Sequence, residues 1–395
     1  MEMKFSKRAM EAKASEVREL LKLTDRADVI AFGGGLPAEE VFPVEEMIEI
    51  CKDILIEHGT RSMQYSTTEG NNQIRSLMQE IMKEKGITAE LDNILVTSGS
   101  QQGLDLTAKV FIEAGDKIIC EKPTYMAAIN AFKPFYPDFL EVEMDEEGIV
   151  IEELEKLVKE NPDVKFIYTI PDYQNPTGIT MSLERRKQMI DIANRYDVLI
   201  IEDNPYSEIS FAGEPLPPIK SFDTEGRVIY LSTFSKLVCP GFRIGWVCGK
   251  QSIINKYGLL KQGTDLHTNI FSQLQILHFF KKYNRKERID YIKGIYKRKR
   301  DVMLTAIEKE FPKEVSYTTP VGGMFVWITL PEKIKAKNLL EKALKENVAF
   351  VPGDAFYAKS HVENTIRLNY SGVEEDKIKI GIKKLGEIIR NEINL

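Results

Sequence analysis

Residues 228–236 read Val228-Ile229-Tyr230-Leu231-Ser232-Thr233-Phe234-Ser235-Lys236. Four apolar residues open the stretch, small hydroxyl residues follow, and a lysine closes it. A short apolar run without alternation predicts a strand buried on both faces of a mainly parallel sheet. Working outward, five more such runs occur: Ile94–Thr97, Lys117–Cys120, Lys165–Ile170, Val198–Ile201 and Ile244–Cys248. Helical periods separate several of them, such as Leu183 to Tyr196. This alternation predicts an α/β domain of three layers, with helices over a mainly parallel sheet.

Ligands of such sheets bind beyond the carboxyl ends of the strands. The residues found there are Ser98-Gly99-Ser100-Gln101-Gln102, Asn175-Pro176-Thr177-Gly178, Glu202-Asp203-Asn204-Pro205-Tyr206 and Ser232 to Lys236. One crevice would receive all four groups. A lysine held at a strand end in a cleft can be partly desolvated, and its amine becomes a nucleophile towards an aldehyde. A carboxylate at Asp203 is costly unless something cationic meets it. A helix cap or an arginine pair would serve, and so would a protonated pyridine nitrogen, which keeps such a ring able to accept electrons. Gly99, Ser100 and Gln101 end a strand and open a helix, so backbone amides would face an anion. Ser235 and Arg243 add a hydroxyl and a bidentate cation. The triplet Gly33-Gly34-Gly35 lacks the strand, helix and later acid of a dinucleotide fingerprint.

The wider chain fits a soluble globular protein: 395 residues, 43% hydrophobic and 29% charged, with a net charge of -6. The acidic balance argues against a nucleic-acid partner. No apolar stretch of about 18 residues is present, so no membrane span is expected, and the start lacks the apolar core of a secretion signal. Cys51, Cys120, Cys239 and Cys248 form no Cys-x-x-Cys pair, as in a reduced, cytoplasmic protein. His58, His267, His278 and His361 are scattered without metal-ligand spacing, so no metal is expected. Past residue 285 a long charged helix (Arg285 to Lys309) leads to two strand-like runs, Met324–Ile328 and Thr365–Tyr370, and a closing helix from Asp376 to Asn394. The expected division is an N-terminal segment 1–45 packing with the small domain, a large domain 46–284 and a small α+β domain 285–395.

Read in order, Gly35-Leu36-Pro37, Gln64-Tyr65-Ser66, Gly99-Ser100-Gln101-Gln102, Asn175-Pro176-Thr177-Gly178, Asp203-Asn204-Pro205-Tyr206, Ser235-Lys236, Arg243-Ile244-Gly245 and Arg367 form a set. The set resembles the fold-type-I pyridoxal-phosphate aminotransferases of class I/II, from about Ser15 to Tyr370. The likeness is closest to the 2-aminoadipate and kynurenine aminotransferase subgroup, through Ser15 to Thr24 and Gly34 to Pro37. The resemblance implies that Lys236 bonds the cofactor and moves the substrate proton, and that Asp203 pairs with the pyridinium. Asn175 and Tyr206 would bond the ring oxygen, and Tyr125 would stack on the ring. Ser100, Gln101, Ser235 and Arg243 would hold the phosphate, which Tyr65 would reach from the neighbouring subunit of a homodimer with shared sites. Arg367, with Asn175, would clamp the substrate carboxylate, and Gly35 would line the substrate side. Thr233 stands where many relatives carry serine. Arg18, on a helix that covers the site in the resembling subgroup, is the candidate for a second carboxylate.

The expected activity is therefore amino transfer from an L-amino acid (2-aminoadipate, aromatic or branched-chain) to a 2-oxo acid, with 2-oxoglutarate the expected acceptor. A different reaction on the same scaffold, such as a C–S β-lyase, shares the cofactor residues and is separated poorly by sequence. A transcription regulator with this domain behind a winged helix would need a longer N-terminus.

Overall fold

The computed structural model describes residues 4–11 and 28–394. All six apolar runs become strands of one eight-stranded sheet. Its order is Ile94–Thr97, Gly245–Cys248, Val228–Thr233, Leu199–Asp203, Phe166–Thr169, Lys117–Lys122, Asp138–Asp145, Gly148–Ile149. The sheet is mainly parallel. Gly245–Cys248 runs antiparallel to both neighbours, and Gly148–Ile149 is antiparallel at the other edge.

Side chains alternate between the two faces, so each strand feeds two cores. Leu95, Leu231 and Val247 join Leu104, Leu106 and Tyr257 on one side. Ile94, Val96, Tyr230 and Trp246 join Ile74, Met78 and Ile276 on the other, and Ile167, Ile200 and Val228 meet Leu154 and Met189 there. Helices therefore cover both faces, giving three layers. Ser182 caps the Leu183–Tyr196 helix by accepting from the Arg185 amide, and Asn284 caps Arg285–Glu310 in the same manner.

A second sheet is antiparallel, in the order Ser316–Tyr317, Phe325–Thr329, Thr365–Asn369, Val351–Pro352. The helices Arg285–Glu310 and Glu375–Ile393 pack beside it, closely enough that a Cβ on Gly386 would lie 2.3 Å from the Glu310 carbonyl oxygen. Near the N-terminus, Ile30–Ala31 pairs in parallel with Val348–Ala349, and Asn369 donates its amide to the Phe32 carbonyl. The glycine segment 33–35 is thereby laid alongside the second sheet, facing the strand ends of the first.

Candidate active site

The carboxyl ends of Leu199–Asp203 and Val228–Thr233 open into a crevice closed on its far side by Arg367 and Gly33 to Gly35. Asp203 is buried at the end of its strand. Its Oδ2 accepts from the Tyr168 hydroxyl at 3.0 Å, while Oδ1 is buried without a partner. Burial pushes its carboxyl up to about 7, against the lowering hydrogen bond from Tyr168. The neighbouring Glu202 points to the opposite face, as strand alternation requires. It accepts from the amides of Ile219 at 3.1 Å and Lys220 at 2.8 Å. Of the two acids, only Asp203 is offered to the crevice.

Lys236 is half-buried and donates from Nζ to the Gly35 carbonyl at 2.8 Å. Desolvation first, then the cations Arg367 and Arg243, lower its pKa to about 8. Arg367 is buried between the rings of Phe325 and Phe356, 4.4 and 4.9 Å from their centroids. Its Nη1 donates to Asn175 Oδ1 at 2.8 Å and its Nη2 to the Gly33 carbonyl at 2.9 Å, while Nε is buried and unpartnered. Asn175 in turn donates to the Tyr206 hydroxyl at 3.5 Å. Desolvation lowers Arg367 to about 10. No carboxylate is paired with it among the described residues, which is a costly arrangement unless an anion completes it.

Gly99, Ser100, Ser235 and Arg243 meet at the opposite end. Gly99 has φ +74°, and a Cβ there would sit 2.3 Å from Arg243 Nη2. Only glycine lets the guanidinium lie against the start of the Ser100–Phe111 helix. Arg243 itself has φ +53° and reaches the Ser98 carbonyl at 3.2 Å and Ser235 Oγ at 3.5 Å. Ser235 Oγ and Thr233 Oγ1 are 2.8 Å apart, so the threonine hydroxyl keeps its place in the turn. Tyr125 is half-buried between the two ends. Its hydroxyl is pushed up to about 12 by burial and then by Asp203, with Arg367 and Arg243 opposing.

The crevice thus brings together Lys236, Asp203, Asn175, Tyr206, Tyr125, Arg367, Gly35, Ser100, Ser235 and Arg243. Gln101 starts the same helix but is exposed and donates to the Ala127 carbonyl at 3.3 Å. Tyr65 stands apart: it is 79% exposed and touches His267 edge-on, with centroids 5.9 Å apart. Arg18 lies outside the described residues.

Several supporting residues escaped the sequence reading. Tyr168 is one. Glu121 is another: buried, it accepts from Thr169 Oγ1 at 2.5 Å and from Gln174 Nε2 at 2.9 Å, next to Asn175. Its signal was present, since it is an acid ending an apolar run, as Asp203 is. Lys261 is fully buried and donates to Gln102 Oε1 at 2.7 Å and Asp265 at 2.8 Å, while Asp265 also accepts from Ser98 Oγ at 3.0 Å. This network fixes the 98–102 turn from behind and had no local sequence signature.

The fit to a phosphorylated pyridine aldehyde can be tested on these atoms. An anionic group is wanted beside Arg243 and the Ser100 amide, a protonated ring nitrogen would satisfy the orphaned Asp203 Oδ1, and Lys236 supplies an amine of lowered pKa. The residues fit.

Residues 27–385 match the family described as aminotransferase class I and II. The chain is 49% identical over 394 residues to an aromatic-amino-acid aminotransferase of Thermococcus litoralis, covering 98% of this chain and 94% of that one. It is 41% identical over 395 residues to a 2-aminoadipate transaminase of Thermus thermophilus, covering 99% and 98%. A kynurenine aminotransferase of Pyrococcus horikoshii, solved in complex with PMP, KYN as substrates and KYA as products, superposes with a TM-score of 0.95 at 46% identity, covering 98% of this chain and 97% of that one.

Proposed function

The chain belongs to the class I and II aminotransferases, and from that premise we propose which residues do the work and on what substrates. It is a pyridoxal-phosphate-dependent transaminase of fold type I, moving amino groups between amino acids and 2-oxo acids. The cofactor, when bound, supplies an electron sink for the electrons of the substrate α-carbon. The chain's part is to bind, orient and move protons.

We assign the cofactor phosphate to Ser100, Gln101, Ser235 and Arg243, its ring to Asp203, Asn175, Tyr206 and Tyr125, and its covalent attachment to Lys236. Asp203, with Oδ1 buried and unpartnered, would hold the ring nitrogen protonated. Lys236 Nζ, with its pKa near 8, carries far more free amine at neutral pH than an ordinary lysine, so it can take and return a proton at that atom. The observation that carries the substrate assignment is the buried Arg367, fixed by Asn175 and Gly33 with Nε unpartnered. A carboxylate entering beside Gly35 would complete it, and bidentate geometry suits an α-carboxylate.

As donors we propose 2-aminoadipate, aromatic and branched-chain amino acids, with 2-oxoglutarate as acceptor. The relatives' names and the subgroup signature at Ser15 to Thr24 support this. Arg18 is assigned to the distal carboxylate of the dicarboxylic substrates. A panel of amino donors against 2-oxoglutarate tests the reading, run in parallel with Arg18→Ala. The variant should weaken 2-aminoadipate and 2-oxoglutarate by about 2 kcal/mol, the scale of a lost charge-assisted hydrogen bond, and spare leucine and phenylalanine. Equal losses for all substrates would remove Arg18 from the pocket.

We also propose a homodimer in which Tyr65 serves the partner's phosphate. The helix Val44–His58 supports it. One side, with Ile50 and Ile54, is buried. Another carries Val44, Ile48 and Leu55, which follow each other at helical spacing and are exposed. Ile56, Met63 and Tyr65 extend the exposed apolar surface beyond it. A surface of this kind is what a second copy would cover. No described helix is long and apolar enough to cross a membrane. Cys51, Cys120, Cys239 and Cys248 are all free thiols, which supports a cytoplasmic location.

A further inference from the structure

His58 and His278 are 220 positions apart, and their Nε2 atoms face each other at 3.0 Å. The rings stand edge to face, with centroids 5.2 Å apart and an interplanar angle of 81°. His58 is the last residue of the Val44–His58 helix, and His278 lies on Ile270–Lys282. The two helices are tied together independently of this pair. Gln275 Nε2 donates to Cys51 Sγ at 3.1 Å, and Lys282 bridges Glu49 at 2.5 Å and Asp53 at 3.5 Å. Beyond His58 the chain is fixed by Ser62 Oγ, which donates to the Gly59 carbonyl at 2.7 Å. The imidazoles are therefore held in position by packing rather than by their mutual contact.

A third ligand is at hand. Glu57 Oε2 is 3.9 Å from His278 Nε2, and one ligand atom from each of the three residues lies within 4.8 Å of the others. The Glu57 side chain is 60% exposed, so it can turn inward at little cost. Two imidazole nitrogens bound to one ion at roughly 2.0–2.1 Å stand about 2.9 Å apart at a right angle and about 3.3 Å apart at the tetrahedral angle. The observed separation falls between these values. His58 also lines a cleft with Arg61, Ser62 and Tyr65, on the side of the subunit that the second copy would cover.

We propose that Glu57, His58 and His278 bind one divalent transition-metal ion of the zinc type per subunit, with water in the remaining positions. Imidazole and carboxylate are the ligand types that suit such ions. Binding requires neutral imidazoles. Burial lowers the pKa of His278, with His58 and Lys281 acting in the same direction and Glu57 and Asp53 against it. The alternative is a simple hydrogen bond in which one ring donates to the other, leaving Glu57 without a part.

The test is calorimetric titration of zinc chloride into the holoenzyme after removal of adventitious metal by a chelator. One site per subunit is expected. His58→Ala and His278→Gln should each weaken it at least tenfold, and Glu57→Gln by a smaller factor. The glutamine at 278 keeps a donor for His58, and unfolding midpoints recorded without zinc check that each variant is folded. Zinc should raise the midpoint of the unaltered enzyme and leave that of the double variant, His58→Ala with His278→Gln, where it was. X-ray absorption on the zinc-loaded, unaltered enzyme reads the ligands without any substitution, and scattering from imidazole is expected. Absence of a unit-stoichiometry site, unchanged zinc affinity in the double variant, or a shell of oxygen or sulfur alone would each overturn the proposal.

Discussion

At Asp203 and Glu202, two adjacent acids meet opposite fates. Both are fully buried, and desolvation pushes each carboxyl up to about 7. Glu202 is spent on backbone amides, whereas Asp203 keeps one oxygen free. Asp203→Ala should therefore reduce turnover by about 10³-fold or more, the scale of losing a charge-stabilising group aimed at the reacting centre. Glu202→Gln should leave turnover within a few-fold and lower the unfolding midpoint. Equal kinetic losses in the two variants would show that the strand end, not the free oxygen, matters. Lys236 makes a second residue-scale case. Its charged form is disfavoured by burial and by two arginines, so free amine should accumulate as pH rises through about 8, not through the ordinary 10.5. Chemical labelling of Lys236 in the apoenzyme, followed by peptide mapping, should show that midpoint. Both residues were visible in the sequence because each closes an apolar run with an ionisable group. Tyr168, which holds Asp203, was hidden inside such a run, where a tyrosine reads as core.

Among the elements, the apolar runs announced six of the eight strands because a strand buried on both faces cannot hide its composition. Asp138–Asp145 was missed for the converse reason. It alternates Leu140, Val142 and Met144 with Glu141, Glu143 and Asp145, the pattern of a strand with one wet face. Its acids are answered from elsewhere: Lys122 meets Glu143 at 2.5 Å, and Lys359 meets Asp138 at 3.0 Å. The antiparallel direction of Gly245–Cys248 was equally illegible, since composition carries no direction. That reversal matters. It brings Arg243, at the start of this strand, back to the carboxyl end of Val228–Thr233, beside Ser235. The turn at 98–102 depends on Lys261, which sequence could not connect to it across 159 positions. Lys261→Met should leave Gln102 and Asp265 without their cation and let the turn relax. The expected result is a cofactor dissociation constant raised about tenfold, roughly 1.4 kcal/mol and near the low end for a lost hydrogen bond to a charged group, with the far-ultraviolet circular dichroism unchanged. Unaltered cofactor affinity would make Lys261 a packing residue only.

For the whole molecule, Tyr65 is the residue whose position asks for something beyond one chain. It is 79% exposed, and Met63, two residues before it, is 73% exposed. Mixing inactive Lys236→Ala subunits with subunits inactivated at Tyr65 should restore activity through hybrid dimers, each holding one intact site. A fully active monomer in sedimentation would sink the shared-site assignment. The opposite end of the crevice has a different implication. Arg367 donates to the Gly33 carbonyl across 334 positions, and Lys236 reaches Gly35 across 201. The amino-terminal glycines thus wait for almost the entire polypeptide before their partners exist. During synthesis, a chain still threaded through the ribosome past residue 360 has its eight-stranded sheet but no finished clamp. Contacts of such sequence separation form late and slowly. Released fragments lacking the last 30 residues should therefore take up cofactor poorly and be selectively drawn to chaperones, which ties the birth of the catalyst to the birth of its final strand.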